Sequence, residues 1–217
     1  MPITKQELNR KLFHLFALLM PVGIFYIPKL TGVSNWFPAF ILFFLVLGSV
    51  IMEALRFRYP AFQKIFYLCF GSMLRKEEDK ITTGSTYIIA AAFICSIIFR
   101  ETPHISFMVL IMFILGDAGA ALVGQSIGKI KIGKKSLEGS LACFIICLVL
   151  FFIFPMLPLV LDVWDGIVPI PLIFITSFAI TLFELIPIKI TKDFTVNDNL
   201  IVPVAAGFCL KLLYPYF

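Results

Sequence analysis

Apolar positions in this chain fall into long unbroken runs separated by short polar stretches. A helix needs about 20 consecutive apolar residues to cross the hydrocarbon core of a bilayer. Seven runs qualify: 12–27, 36–55, 84–99, 105–124, 137–158, 166–187 and 199–216. The pattern predicts an all-α fold, a polytopic membrane helix bundle of about seven transmembrane helices. An eighth segment, 61–74, is apolar but short and carries Gln63 and Lys64. It fits an interfacial or re-entrant helix better than a span.

Charge orients this map. Cytoplasmic loops of membrane proteins carry an excess of Lys and Arg. With seven spans, the N-terminus and the loops after spans two, four and six share one side, and only Lys29, Arg100 and Lys211 of the 18 basic residues fall on the other. A crossing by 61–74 would move every later loop and erase the bias. The N-terminus is therefore expected in the cytoplasm.

Composition agrees with a membrane setting: 60% of residues are hydrophobic, 14% are charged, and the mean hydropathy is +1.02. At 217 residues with no long linker, the chain is expected to form one catalytic domain, 1–217. The net charge of +5 would point to nucleic acid in a soluble protein. Here it reads as basic loops against anionic headgroups, and no nucleic-acid partner is expected. The five cysteines (Cys69, Cys95, Cys143, Cys147 and Cys209) form no C-x-x-C pair and read as small core residues. The polar start, Met1 to Arg10, reads as a mature N-terminus without a removable signal. Nothing in the sequence indicates an oligomeric state.

Polar residues collect at the expected cytoplasmic end. Arg10 and His14 open span one, Glu53 and Arg56 close span two, and Arg75, Glu78, Thr83, Gly84 and Ser85 lead into span three. Lys134 to Gly139 lead into span five, Glu184 lies near the end of span six, and Asp198 and Asn199 begin span seven. Charged inner loops alone explain the lysines but not carboxylates inside spans. Asp117 is the sharpest case, because an ionised carboxylate inside a span costs at least ~2.5–3.5 kcal/mol. A bound cation or a buried Arg must compensate it.

Around Asp117, Gly116, Ala120, Gly124 and Gly128 recur every four positions on one helix face. Such a stripe serves close helix packing or approach of a ligand to bare backbone. Spans three, five and seven start on the cytoplasmic side, where free N–H groups and the helix dipole favour anions. Their starts, Thr83-Gly84-Ser85, Lys135-Ser136-Leu137-Glu138-Gly139 and Asp198-Asn199, have capping-type sequences. Asp198 would repel phosphate unless a divalent cation bridged them, which points to Mg²⁺. The run Gly128 to Lys135 is not a P-loop, since Lys135 stands where Ser or Thr is required and no strand–helix unit surrounds it. His14 and His104 cannot build a zinc site.

The run Gly116-Asp117-Ala118-Gly119-Ala120 … Gly124 … Gly128-Lys129 … Lys135-Ser136-Leu137-Glu138-Gly139-Ser140 resembles the signature of the CTP-dependent lipid kinases. That group comprises dolichol kinase, phytol kinase and the yeast-type diacylglycerol kinase. Glu7-x-x-Arg10-Lys11-x-x-His14, Thr83-Gly84-Ser85-Thr86-Tyr87, and Glu184 followed by Asp198-Asn199-x-x-x-Pro203 extend the resemblance over nearly the whole chain. The related CDP-diacylglycerol synthases share the central pattern, but their late motif is richer in Asp and Arg than 191–199 is here.

The resemblance implies Mg²⁺-dependent transfer of the γ-phosphate of CTP to a long-chain lipid alcohol at the cytoplasmic membrane face. Asp117 and Asp198 would be metal ligands, and Lys135 with the Ser136–Gly139 helix start a phosphate cradle. Arg75, Thr83, Gly84, Ser85, Gly124, Gly128, Lys131, Glu138 and Asn199 join the expected nucleotide site. Arg10, His14, Glu53 and Arg56 are expected lipid or phosphate contacts. The general base is left open between Glu184 and Asp198. A cytidylyltransferase would use the same nucleotide site to make a CDP-lipid, and a small-solute transporter would also bury carboxylates.

Overall fold

Proline and glycine positions set the helix boundaries in the computed structural model, which describes residues 5–74, 76–133, 135–160, 169–186 and 196–213. Helix α1 (Lys5–Leu15) runs through a 3₁₀ turn into α2 (Leu19–Thr31), making one rod of 27 residues. The rod stops at Gly32, whose φ of 74° is open to a residue without Cβ. Helix α3 (Trp36–Arg58) ends at Tyr59 because Pro60 pushes its predecessor into extended geometry. Pro60 then occupies the first turn of α4 (Pro60–Phe70). Helices α5 (Gly84–Ile98) and α6 (Pro103–Ser126) follow. A two-residue antiparallel hairpin, β1 (Lys131–Ile132) and β2 (Lys135–Ser136), leads into α7 (Leu137–Ile153). Helices α8 (Ile170–Leu185) and α9 (Asp198–Leu213) complete the described residues.

The architecture is all-α, as the sequence predicts. Four helices are long and apolar enough to cross a membrane: Lys5–Thr31, Trp36–Arg58, Pro103–Ser126 and Leu137–Met156. Helices α5 and α8 are apolar but shorter, and the predicted spans 166–187 and 199–216 extend beyond the described residues. Helix α4 has 11 residues. At 1.5 Å per residue it is too short to cross.

Helix α6 forms the centre. Every residue from His104 to Ile114 is buried, and α6 packs against α1, α2, α5, α7, α8 and α9. A helix apolar on all sides belongs in such a position. Helix α3 lies at the periphery and exposes Phe37, Phe40, Phe43 and Phe44, a surface suited to lipid. Cys95, Cys143 and Cys147 are core residues as expected, whereas Cys69 is exposed on α4.

The small-residue stripe on α6 packs against α7. A Cβ at Gly116 would lie 2.8 Å from Sγ of Cys143, and one at Gly124 would lie 2.8 Å from Oγ of Ser136. Reciprocally, a Cβ at Gly139 would lie 2.6 Å from the carbonyl oxygen of Ala120. The backbones of α6 and α7 meet here, which fixes β2 and the start of α7 beside Asp117.

Candidate active site

Helix spacing puts Glu7, Lys11 and His14 on one face of α1, with Arg10 beside them. Arg10 forms an ion pair with Glu7. Lys11, buried, pairs with Oδ2 of Asp117 on α6 and donates to the Asp117 carbonyl at 3.2 Å. The charge expected to compensate Asp117 is thus a lysine of the first helix. His14 Nε2 lies 3.5 Å from the same Oδ2.

A second ionic cluster forms where the hairpin meets α8 and α9. Lys135 Nζ lies 2.7 Å from Oδ2 of Asp198 and 2.9 Å from Oε1 of Glu184, and it also reaches the Glu184 carbonyl. Burial pulls the Lys135 pKa down, but the adjacent Glu184 and Asp198 outweigh it and hold the ammonium above its ordinary value. Gly133, with φ of 61°, makes the turn that brings Lys135 back toward the helices. Oε2 of Glu184 is buried with no hydrogen-bond partner.

These clusters line one cavity of about 330 Å³, within the range of small-molecule sites. The starts of α1, α5, α7 and α9 and the ends of α6 and α8 converge on it. Of the sequence-predicted residues it gathers Arg10, Gly84, Asp117, Gly124, Lys131, Lys135, Ser136, Gly139, Glu184, Asp198 and Asn199. Glu7, Lys11, Glu78, Gln125 and Asn197 also line it and were not among the expected site residues. Lys11 and Glu7 stand in the run that carries the resemblance, so their signal was present in the sequence.

Other predicted residues lie elsewhere. Glu138 accepts hydrogen bonds from the backbone of Lys129 at 2.9 Å and Ile130 at 3.2 Å, so it latches the hairpin outside the cavity. Gly128 packs against Ser136. Glu53 Oε1 accepts from the backbone N–H of Thr83 at 2.9 Å and from its hydroxyl at 2.7 Å. Arg56 Nε donates to Glu53 at 2.5 Å, and the guanidinium also holds the Ile81 carbonyl and stacks on Phe57 and Phe66. Arg56 therefore braces α3 against the start of α5 and lines neither cavity. The Gly84 N–H donates to Glu78 at 3.2 Å, so two carboxylates occupy the N–H groups expected to face phosphate at this helix start. Arg75 lies outside the described residues.

A second, apolar cavity of about 540 Å³ runs between α1, α2, α3, α4 and α5. Phe13, Phe16, Leu19, Leu45, Phe66 and Ile88 form part of its wall, and His14, Glu53, Thr83 and Ser85 are among its polar lining residues. Phe16 and Leu19 are also exposed at 68% and 69%, so the groove opens on the outer surface of the bundle. Arg10, Glu78, Gly84 and Asn199 line both cavities. The Asn199 side chain donates to the Gly84 carbonyl at 2.9 Å and ties α9 to α5 at this shared wall.

No family model matches the chain, and no solved structure matches it. An uncharacterized protein of Rickettsia prowazekii is 26% identical over 97% of this chain and 95% of its own length. CTP-dependent diacylglycerol kinase 1 of Schizosaccharomyces pombe is 29% identical over 96% of this chain and 94% of its own. The protein of the same name from Saccharomyces cerevisiae is 29% identical over 70% of this chain and 51% of its own.

Proposed function

We propose, from the premise that the chain belongs to the CTP-dependent lipid kinase family, that it transfers the γ-phosphate of CTP to the hydroxyl of a membrane lipid alcohol at the cytoplasmic face. Diacylglycerol is the leading acceptor, because it is the one named in the kinase relatives; polyprenol and phytol are the alternatives. The observation that carries this reading is the shared wall. A polar cavity rich in charge meets an apolar groove open to the bilayer side at Arg10, Glu78, Gly84 and Asn199. A nucleotide and a lipid hydroxyl can therefore approach each other while the lipid tail stays in hydrocarbon.

Phosphoryl transfer depends on alignment and charge neutralisation more than on covalent chemistry. Lys11, Lys135, Lys131 and Arg10 are the basic groups placed to receive phosphate oxygens. Among the described residues, five carboxylates and four basic side chains line the polar cavity, so the site by itself does not balance a triphosphate. No group of three His, Cys, Asp or Glu among them can cage a metal. Both facts fit the way Mg²⁺ is held with nucleotides, by one or two carboxylates together with phosphate oxygens. Asp117 and Asp198 would hold it, and it would supply the missing positive charge. Glu184, with its unpartnered Oε2, and Asp198 are the candidate bases for the acceptor proton. The whole chain would act as one integral membrane unit of seven spans, with α4 lying at the interface.

Purified protein given Mg²⁺ and a panel of diacylglycerol, polyprenol and phytol should move label into lipid from γ-labelled CTP and none from α-labelled CTP. In the kinase reaction CDP leaves and keeps the α-phosphate. Label entering lipid from the α position would assign a CDP-lipid synthase instead, and transfer from neither position would favour a transporter.

A further inference from the structure

We propose that Gln125 is the residue that holds the nucleobase, its amide pairing with the hydrogen-bonding edge of the cytosine at the outer end of the polar cavity. The assignment rests on the nucleotide reading above and adds a contact for the part of the nucleotide that the phosphate-binding groups leave unheld. Asp117, Ala121 and Gln125 follow at intervals of four on α6, so they share one helix face, and all three line the cavity. Eight residues of helix separate the ends of this row by about 12 Å. An extended nucleoside triphosphate has a similar length from its terminal phosphate to its base. The phosphate end belongs at Asp117, because Lys11 is paired there and Arg10 beside it lines both the polar cavity and the apolar groove. The base then falls at Gln125, where the next residues, Ser126 and Ile127, are already exposed.

The Gln125 amide is uncommitted and accessible. The residue is half-buried, its side chain has no hydrogen-bond partner among the described residues, and neither Oε1 nor Nε2 is closed off from solvent. Other groups of the cavity are engaged: Lys135 pairs with Glu184 and Asp198, Ser136 Oγ accepts from the Gly139 N–H, and the Asn199 side chain donates to the Gly84 carbonyl. An amide offers an acceptor oxygen beside donor hydrogens. Cytosine presents the complement side by side, the 4-amino donor and the N3 acceptor, whereas a carboxylate or an ammonium would meet one of the two. Water satisfies the amide in the free protein, so holding it ready leaves no desolvated polar atom behind. A few such neutral polar groups are what orient a ligand in a pocket whose charged residues attract its phosphates.

Equilibrium binding of CTP and of its 2-pyrimidinone analogue to the purified full-length protein in detergent micelles, with Mg²⁺ and no lipid acceptor, tests this. The analogue keeps the triphosphate, the ribose, N3 and O2 and lacks the 4-amino group. Wild-type protein should prefer CTP by roughly three- to tenfold, the size of one hydrogen bond. Gln125→Leu should bind both nucleotides more weakly and equally. Gln125→Glu keeps an oxygen to accept from the 4-amino group, so it should retain the preference even if its charge weakens both nucleotides together. Should Gln125→Leu fail to fold, Gln125→Met serves in its place, and loss of stability alone would leave the ratio of the two affinities intact. A wild-type protein that binds CTP without preference, or a Gln125→Leu or Gln125→Met protein that retains the preference, overturns the assignment and leaves the nucleotide reading standing. A wild-type protein that binds neither nucleotide overturns both.

Discussion

Lys11 and Asp117, 106 residues apart in sequence, form one ion pair between the first helix and the central one. The side chains are 4% and 21% exposed. Removing one partner of a buried pair leaves an uncompensated charge and costs about 3–5 kcal/mol, less where solvent reaches it. Asp117→Asn is therefore expected to lower thermal stability in detergent as well as abolish turnover. Lys11→Met combined with Asp117→Asn should regain most of the stability and none of the activity. A double variant as unstable as the single would overturn the stabilising role of the pair, and one that is active would separate Asp117 from the reaction.

The Lys135 cluster sets a pH window. Its ammonium is held above the ordinary lysine value of 10.5 by Glu184 and Asp198, after burial has acted in the opposite direction. A cation with a raised folded-state pKa contributes stability that is complete below the unfolded value and is lost as pH rises through the folded one. The stability difference between wild type and Lys135→Gln should thus be flat from about pH 7.5 to 9.5 and shrink only above the lysine range. Thermal unfolding of both proteins across that window gives the answer. A clear slope within it would mean that Lys135 titrates there and is not held by the two carboxylates.

Glycine substitutions distinguish packing from mere composition. A Cβ at Gly139 would come within 2.6 Å of the Ala120 carbonyl and 3.3 Å of the Gly124 Cα, and backbone atoms cannot rotate aside. Gly139→Ala should force α6 and α7 apart, destabilise the protein by about 1–3 kcal/mol and lower activity, because Ser136 and Lys135 move with α7. Gly48 in α3 has nothing within 4 Å of its Cβ position. Gly48→Ala should be neutral or stabilising by up to about 1 kcal/mol through helix propensity. Unfolding midpoints of the two variants, measured side by side, should move in opposite directions or leave Gly48→Ala unchanged.

The residues that were legible in sequence are those whose physics is local. Asp117 stood out because a carboxylate inside an apolar run demands a partner, and Gly116, Ala120 and Gly124 stood out because four-residue spacing defines a helix face. The identity of Asp117's partner was not legible, since Lys11 reaches it only after α1 packs on α6. The start of α5 shows the same limit. Thr83-Gly84-Ser85 has the composition of a cap open to anions, yet Glu53 from α3 and Glu78 fill it through contacts that no local pattern records. The apolar groove had no sequence signal at all, because Phe13, Leu45 and Phe66 resemble any lipid-facing residue until three helices bring them together.

The final prediction concerns orientation. The starts of α1, α5, α7 and α9 and the ends of α6 and α8 converge on one cavity, so these segments share one end of the bundle. Nearly all the basic residues belong to loops at that end when the chain is read with seven spans, so it is expected to face the cytoplasm. Ile130 in the hairpin approach is 56% exposed, and Leu30 at the end of α2 is 71% exposed. Each is a suitable site for a single cysteine in a background lacking Cys69, Cys95, Cys143, Cys147 and Cys209. An impermeant thiol reagent should label Leu30→Cys on intact cells and reach Ile130→Cys only after permeabilisation. The reverse pattern would invert the bundle and place the polar cavity on the outer side. Labelling of both from outside would mean that the two ends of the first rod do not lie on opposite faces, and the seven-span topology would have to be abandoned.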